Sequence, residues 1–277
     1  MFSPNLLLDF QNMWQFGFMR NALIAGTIIS IVAGVVGYFV VIRRLSFAAH
    51  ALSHAGFAGA AGAVLFGVNP LFGLLAFTIA GGLTIGSLGK KVINRDVQTG
   101  SVLAFMLGLG VLFISLYKGY ASETYSILFG EILGISKLSL IISIVVAVLV
   151  LLTILLIFRP LLFSSLDEEV AEAKGIKTTF IGLVFMLVLA ITTSIAVQVV
   201  GVLLIFALLV TPAAVAQKLT KGPIGGIIVS VIISLSSTII GLFLSFYISF
   251  PVSFFIIAIV FIEYISANLY FKFAKSS

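Results

Sequence analysis

Hydrophobic residues run along this chain in long blocks separated by short polar clusters. Apolar blocks occupy 22–42, 71–88, 100–117, 138–158, 179–197, 202–216, 224–247 and 252–269. A helix needs about 20 apolar residues to cross a bilayer, and most of these blocks approach or exceed that. A further block, 127–135, is too short to cross. A stretch from 48 to about 68 has a different character, since it is built almost wholly of small residues. The breaks are Arg43-Arg44, an Asn69-Pro70 turn, a basic loop with Lys90, Lys91 and Arg95, and polar residues 118–126. After them come the longest hydrophilic loop, 159–177, a short connection at 198–201, the basic segment 218–223 and a turn at 249–251. The pattern predicts an all-α polytopic membrane protein of one domain, 1–277, with eight or nine transmembrane helices. The count stays open because the segment near 198–201 allows a re-entrant passage.

Residues 1–18 are mixed. Leu6, Phe10 and Met13 recur at helical spacing with Asp9 and Asn12 between them and Trp14 nearby. That suits an amphipathic helix in the interface, anchored by Trp14; a disordered tail is the alternative. No basic stretch precedes an apolar core here, so the N-terminus is kept as part of the mature chain.

Composition sharpens the class. The chain is 61% hydrophobic and 9% charged, with a mean hydropathy of +1.32. Soluble domains carry about 25% charged residues, so this one could not cover a water-facing surface. The net charge of +6 then speaks of topology rather than of nucleic acid. With Arg43 and Arg44 placed in the cytoplasm, alternation brings the clusters at 90–95, 159–177, 218–221 and 272–275 inside as well. Only Arg20, Lys118 and Lys137 fall outside. The N-terminus is outside if the spans number nine. There are no cysteines, which excludes disulfides and thiolate metal sites.

Residues 48–63 read AAHALSHAGFAGAAGA, twelve of the sixteen being Ala, Gly or Ser. His50 and His54 are the only histidines, four apart, so a helix presents both on one face. Intramembrane ionisable groups mark ion pathways, and this spacing offers two imidazoles to a single ion. Two hydrogen-bonded core histidines are the plain alternative. Ser53 lies beside them and offers an oxygen. Small residues at spacing four, Ala51, Ala55, Gly59 and Ala63, allow close helix approach and also leave room for a passing ion.

The loop segment SLDEEVAEAKG, 165–175, predicts a short helix. Asp167, Glu168 and Glu169 stand at its N-terminus, Lys174 near its end, and Gly175 closes it. It is either a solvated connector or a docking helix for a cytoplasmic partner. No GxxxxGK[ST] occurs, so any ATP would be hydrolysed by another subunit. Glu131 sits in the short outer block, a candidate for cation capture. Glu263 lies midway along the last span and reads as a structural hydrogen-bonding group. Gln198 with Thr192, Thr193 and Ser194 reads as a helix-to-helix polar patch.

Taken in order, VIRRLS (41–46) with ALSHA (51–55), LFGEILG (128–134), SLDEEVAEAKG and QVVGVLLIFALLVTPAA (198–214) resemble the membrane subunits of ATP-binding-cassette importers for zinc, manganese or iron. The resemblance covers nearly the whole chain. It implies a homodimeric permease with two cytoplasmic ATPase subunits and an extracellular substrate-binding protein, multi-pass in the bacterial plasma membrane. It implies no permanently bound cofactor, the metal ion being cargo. In that family a D-x-x-x-H pattern on the second helix handles metal. His54 matches its histidine, while His50 stands at the Asp position. Imidazole suits Zn²⁺ better than Mn²⁺, which leans the expectation to zinc. Glu131 likewise replaces the family's usual Asn or Ser. The resemblance assigns Asp167, Glu168, Glu169, Ala171 and Gly175 to contact with the ATPase.

Two other classes compete. An intramembrane metalloenzyme using His50 and His54 would need a Glu beside the first histidine as general base, and position 51 is Ala. A stand-alone secondary transporter would need membrane carboxylates for ion coupling, which are nearly absent.

Overall fold

Backbone amides in hydrocarbon must pair within their own segment, so apolar runs of this length become helices. A computed structural model describes residues 12–88, 92–117, 130, 132–248 and 250–274. In chain order the helices are α1 (Gly17–Ile42), α2 (Ser46–Leu65), α3 (Pro70–Leu88), α4 (Val92–Leu116), α5 (Lys137–Leu166), α6 (Glu168–Ala173), α7 (Thr178–Val200), α8 (Val202–Leu219), α9 (Pro223–Tyr247) and α10 (Val252–Ala274), with a 3₁₀ turn at Ile132–Gly134. Among the described residues eight helices are long and apolar enough to cross a membrane, and α2 is not one of them. Its 20 residues still reach about 30 Å. Counting it gives nine.

The bundle is centred on α1, which packs against α5, α7, α8 and α9 and is buried along most of its length. Around α2 lie α3, α4, α7 and α8. Small residues set the approach between α2 and α3. A Cβ on Gly59 would stand 2.1 Å from the Gly73 carbonyl oxygen, and one on Gly73 would stand 2.0 Å from that of Gly59. The two backbones touch. Hydroxyls tie the other seams: Ser30 donates to Thr238 (2.7 Å), Ser230 to the Gly34 carbonyl (2.9 Å), and Thr78 shares a hydrogen bond with Ser194 (2.6 Å).

Several expected boundaries move. The loop at 159–177 shrinks, because α5 continues through Arg159 and Pro160 to Leu166. At 1.5 Å per residue its 30 residues make about 45 Å, so the last turns project past the hydrocarbon. The proline forfeits one backbone hydrogen bond there, a loss membrane helices tolerate. α4 begins at Val92 rather than near 100, so Arg95 belongs to a helix. The connection at 198–201 contracts to Gly201 alone, whose φ of 85° and ψ of 165° lie in a region essentially reserved for glycine. Helix α1 takes up Gly17 and Phe18 from the expected interfacial segment. Of what remains, Met13 is buried and Trp14 is 46% exposed. Residues 1–11 lie outside the described residues, as do Lys90, Lys91, Lys118, Lys275 and, within 127–135, residues 127–129 and 131.

Candidate functional site

Helix α2 ends in an irregular corner at one side and at Gly67 (φ 67°) on the other, and its small side chains let neighbours close over it. From Ala48 to Ala63 every residue is buried except His50 and His54, which are half-buried. The only opening along this stretch is therefore the histidine pair. Their ring centroids lie 4.7 Å apart at 82°, edge to face. His50 also meets Phe206 of α8, ring to ring at 4.9 Å. The expected shared face is present, with an aromatic neighbour 156 positions along the chain that helical spacing within α2 gives no means of finding.

Ser53 does not join them. It is wholly buried, and its hydroxyl donates to the Ala49 carbonyl (3.0 Å). One residue from His54 is a 100° turn, which carries it into the bundle. Glu131 lies outside the described residues. Its neighbour Gly130 has φ 74°, and a Cβ there would fall 2.4 Å from the Gly201 nitrogen, so Gly130 rests on the α7–α8 break. Among the described residues no group of three His, Asp or Glu gathers to hold a metal. Two imidazoles leave a coordination shell open.

Of the other polar residues singled out in the sequence, Glu263, Thr193, Ser194 and Gln198 hydrogen-bond within the bundle, while the buried Thr192 hydroxyl finds no partner among the described residues. Glu263 accepts from Ser237 (2.6 Å) and Ser236 (3.1 Å) of α9. Thr193 and Ser194 donate back to α7 carbonyls, and the Gln198 amide donates to Ser139 (3.3 Å).

The second candidate region is α6. Asp167 caps it, its Oδ1 accepting the Val170 N–H at 3.0 Å. At the other end the Gly175 N–H reaches the Glu172 carbonyl (2.8 Å) and the Ile176 N–H reaches that of Ala171 (3.1 Å). That paired closure requires the left-handed turn Gly175 supplies at φ 79°. Lys174 stacks on Phe163, its Nζ 4.7 Å from the ring centroid, and Glu172 accepts from Thr178 (2.5 Å). Asp167, Glu168, Glu169 and Gly175 are exposed, whereas Ala171 is fully buried. It seats the helix and leaves no surface for a partner. A cavity of about 750 Å³ opens beside α6, walled by Asp167, Glu168, Glu169, Glu172 and, from the α1–α2 corner, Arg43. Sequence reasoning read Arg43 as a topology charge and as part of the VIRRLS segment, without assigning it a partner.

Residues 15–270 match the ABC 3 transport family. The chain belongs to that family. It is 36% identical over 216 residues to the manganese transport system membrane protein MntC of Listeria innocua, covering 78% of this chain and 77% of that protein. It is 37% identical over 212 residues to the manganese import system permease protein ScaB of Streptococcus gordonii, covering 76% of each. Among solved structures, PsaBC from Streptococcus pneumoniae in complex with a Fab superposes with a TM-score of 0.84 at 29% identity, covering 95% of both chains. As an ABC 3 member with these spans, the chain is a multi-pass membrane protein and an ABC-type metal permease, as the resemblance implied.

Proposed function

We propose that this chain is the permease of an ATP-driven importer for a divalent transition-metal ion, His50 and His54 contacting the ion as it passes. The observation that carries this is the sealing of α2 everywhere between 48 and 63 except at its two imidazoles. Two ligands per chain make a passing contact rather than a chelate, which suits a pathway that must release its ion. A second copy of the chain would bring a second pair. Two cytoplasmic ATP-binding subunits would drive alternating access through α6, and an extracellular substrate-binding protein would deliver the ion. The ion is cargo; no resident cofactor and no enzymatic role is assigned.

Neutral imidazole is a borderline donor, and two of them favour zinc over manganese, which prefers oxygen. The second reading, manganese, is supported by the names that MntC and ScaB carry. Uptake of Zn²⁺, Mn²⁺ and Fe²⁺ by the complex reconstituted in vesicles separates them. His54→Ala is expected to cut uptake by roughly tenfold or more, and His50→Asp to move preference toward Mn²⁺. Unchanged uptake in His54→Ala would sink the site. Identical metal profiles for wild type and His50→Asp would sink the zinc argument, and uptake without ATP would return the stand-alone carrier.

A further inference from the structure

Arg43 closes α1, three residues before α2 begins at Ser46. Its guanidinium leaves this corner and reaches the end of α5, where Nη1 donates to the hydroxyls of Ser164 (3.0 Å) and Ser165 (3.2 Å). Both serines spend their single proton on the Leu161 carbonyl, at 3.1 and 2.5 Å. Their lone pairs are what Arg43 meets, a consistent proton count. The same guanidinium stands 5.7 Å from the Phe185 ring centroid of α7, and a Cβ on Gly182 would lie 3.5 Å from its Nη2. Ser165 is two residues from Asp167, which caps α6. Ser46 is one helical turn from His50, about 6 Å along the axis.

We propose that Arg43 is a positioning residue, a strut that passes displacement of α6 to the α1–α2 corner and so to the helix bearing the histidines. Apolar contacts between these helices are non-directional, whereas a planar guanidinium has fixed donor directions. It joins the two elements at their ends, where a small movement of α6 is first felt. Arg43 also shares the cavity wall with the acidic residues of α6, so a partner pressing on that helix acts close to the guanidinium. The inference rests on the permease reading and deepens it.

The test uses the complete complex in vesicles, counting metal ions moved per ATP hydrolysed. Wild type is measured first; if it shows no ATP-dependent uptake, the permease reading falls and the strut with it. Given uptake, Arg43→Gln is expected to lower the ratio about fivefold while ATP hydrolysis continues. Arg43→Lys, which keeps charge but loses the fork, should recover only part. The double variant Ser164→Ala/Ser165→Ala should reproduce the loss, and joining it to Arg43→Gln should add nothing, because one connection is cut twice. The amount of ATPase retained on purification checks assembly in each case. A wild-type ratio in Arg43→Gln, uptake and hydrolysis falling together, or additive losses in the combined variant would each overturn the strut while leaving the permease standing.

Discussion

Arg44 holds a backbone conformation that side chains avoid, with φ at 55°. The hydrogen bonds explain it: the Arg44 N–H reaches the Val41 carbonyl (3.1 Å) and the Leu45 N–H reaches that of Val40 (2.8 Å). This is the closure that ends α6, with arginine where α6 uses glycine. The left-handed conformation costs a side-chain-bearing residue about 1–2 kcal/mol, and a second positive charge at the end of α1, which the positive-inside pattern would place in the cytoplasm, is what the chain receives for it. Arg44→Gly is therefore expected to raise stability by about 1 kcal/mol, read as a thermal midpoint higher by about 2–4 °C. A lowered midpoint would show that Arg44 makes a favourable contact outweighing the strain. Arg43, one residue earlier, has an ordinary backbone and carries its significance in its side chain.

At the scale of elements, α6 has six residues, far below the length at which a helix persists alone. Its ends hold it. Asp167→Ala removes the cap and should cost about 1 kcal/mol, seen as faster amide hydrogen exchange across 168–173 with exchange in the membrane helices unchanged. Equal exchange in the two proteins would mean that the buried Ala171 and the Lys174–Phe163 contact suffice without the cap. This element was legible from sequence because its determinants are local: acidic residues at the start, Gly175 after the end. The reach of α5 to Leu166 was not, since Arg159-Pro160 reads as a stop and only the length of projecting helix, packed beside α1 and α7, overrules it. The contacts of Phe206 with His50 and of Arg43 with Ser164 join positions more than 100 apart. No periodicity within one helix encodes such a meeting. The shared face of His50 and His54, by contrast, follows from their spacing alone, while the exclusion of Ser53 depends on which side of α2 the neighbours cover.

For the whole molecule, the absence of cysteine makes single introduced thiols clean reporters of sidedness. Val68, beyond α2, is 48% exposed, and Val170 on α6 is 46% exposed. Val68→Cys should react with an impermeant maleimide added to intact cells, and Val170→Cys only after permeabilisation. The opposite pattern would invert the topology, and labelling of both from outside would remove a span between them. The reciprocal seating of Gly59 and Gly73 has a mechanical consequence for such a molecule. With carbonyl groups interlocked where side chains would normally act as spacers, α2 can neither roll nor slip along α3. The two form one rigid body, because tightly packed surfaces jump between discrete arrangements rather than deform. Toward Phe206, by contrast, an aromatic ring rather than a backbone faces His50, so a displacement of α2 would carry α3 with it while meeting only a side chain on that side.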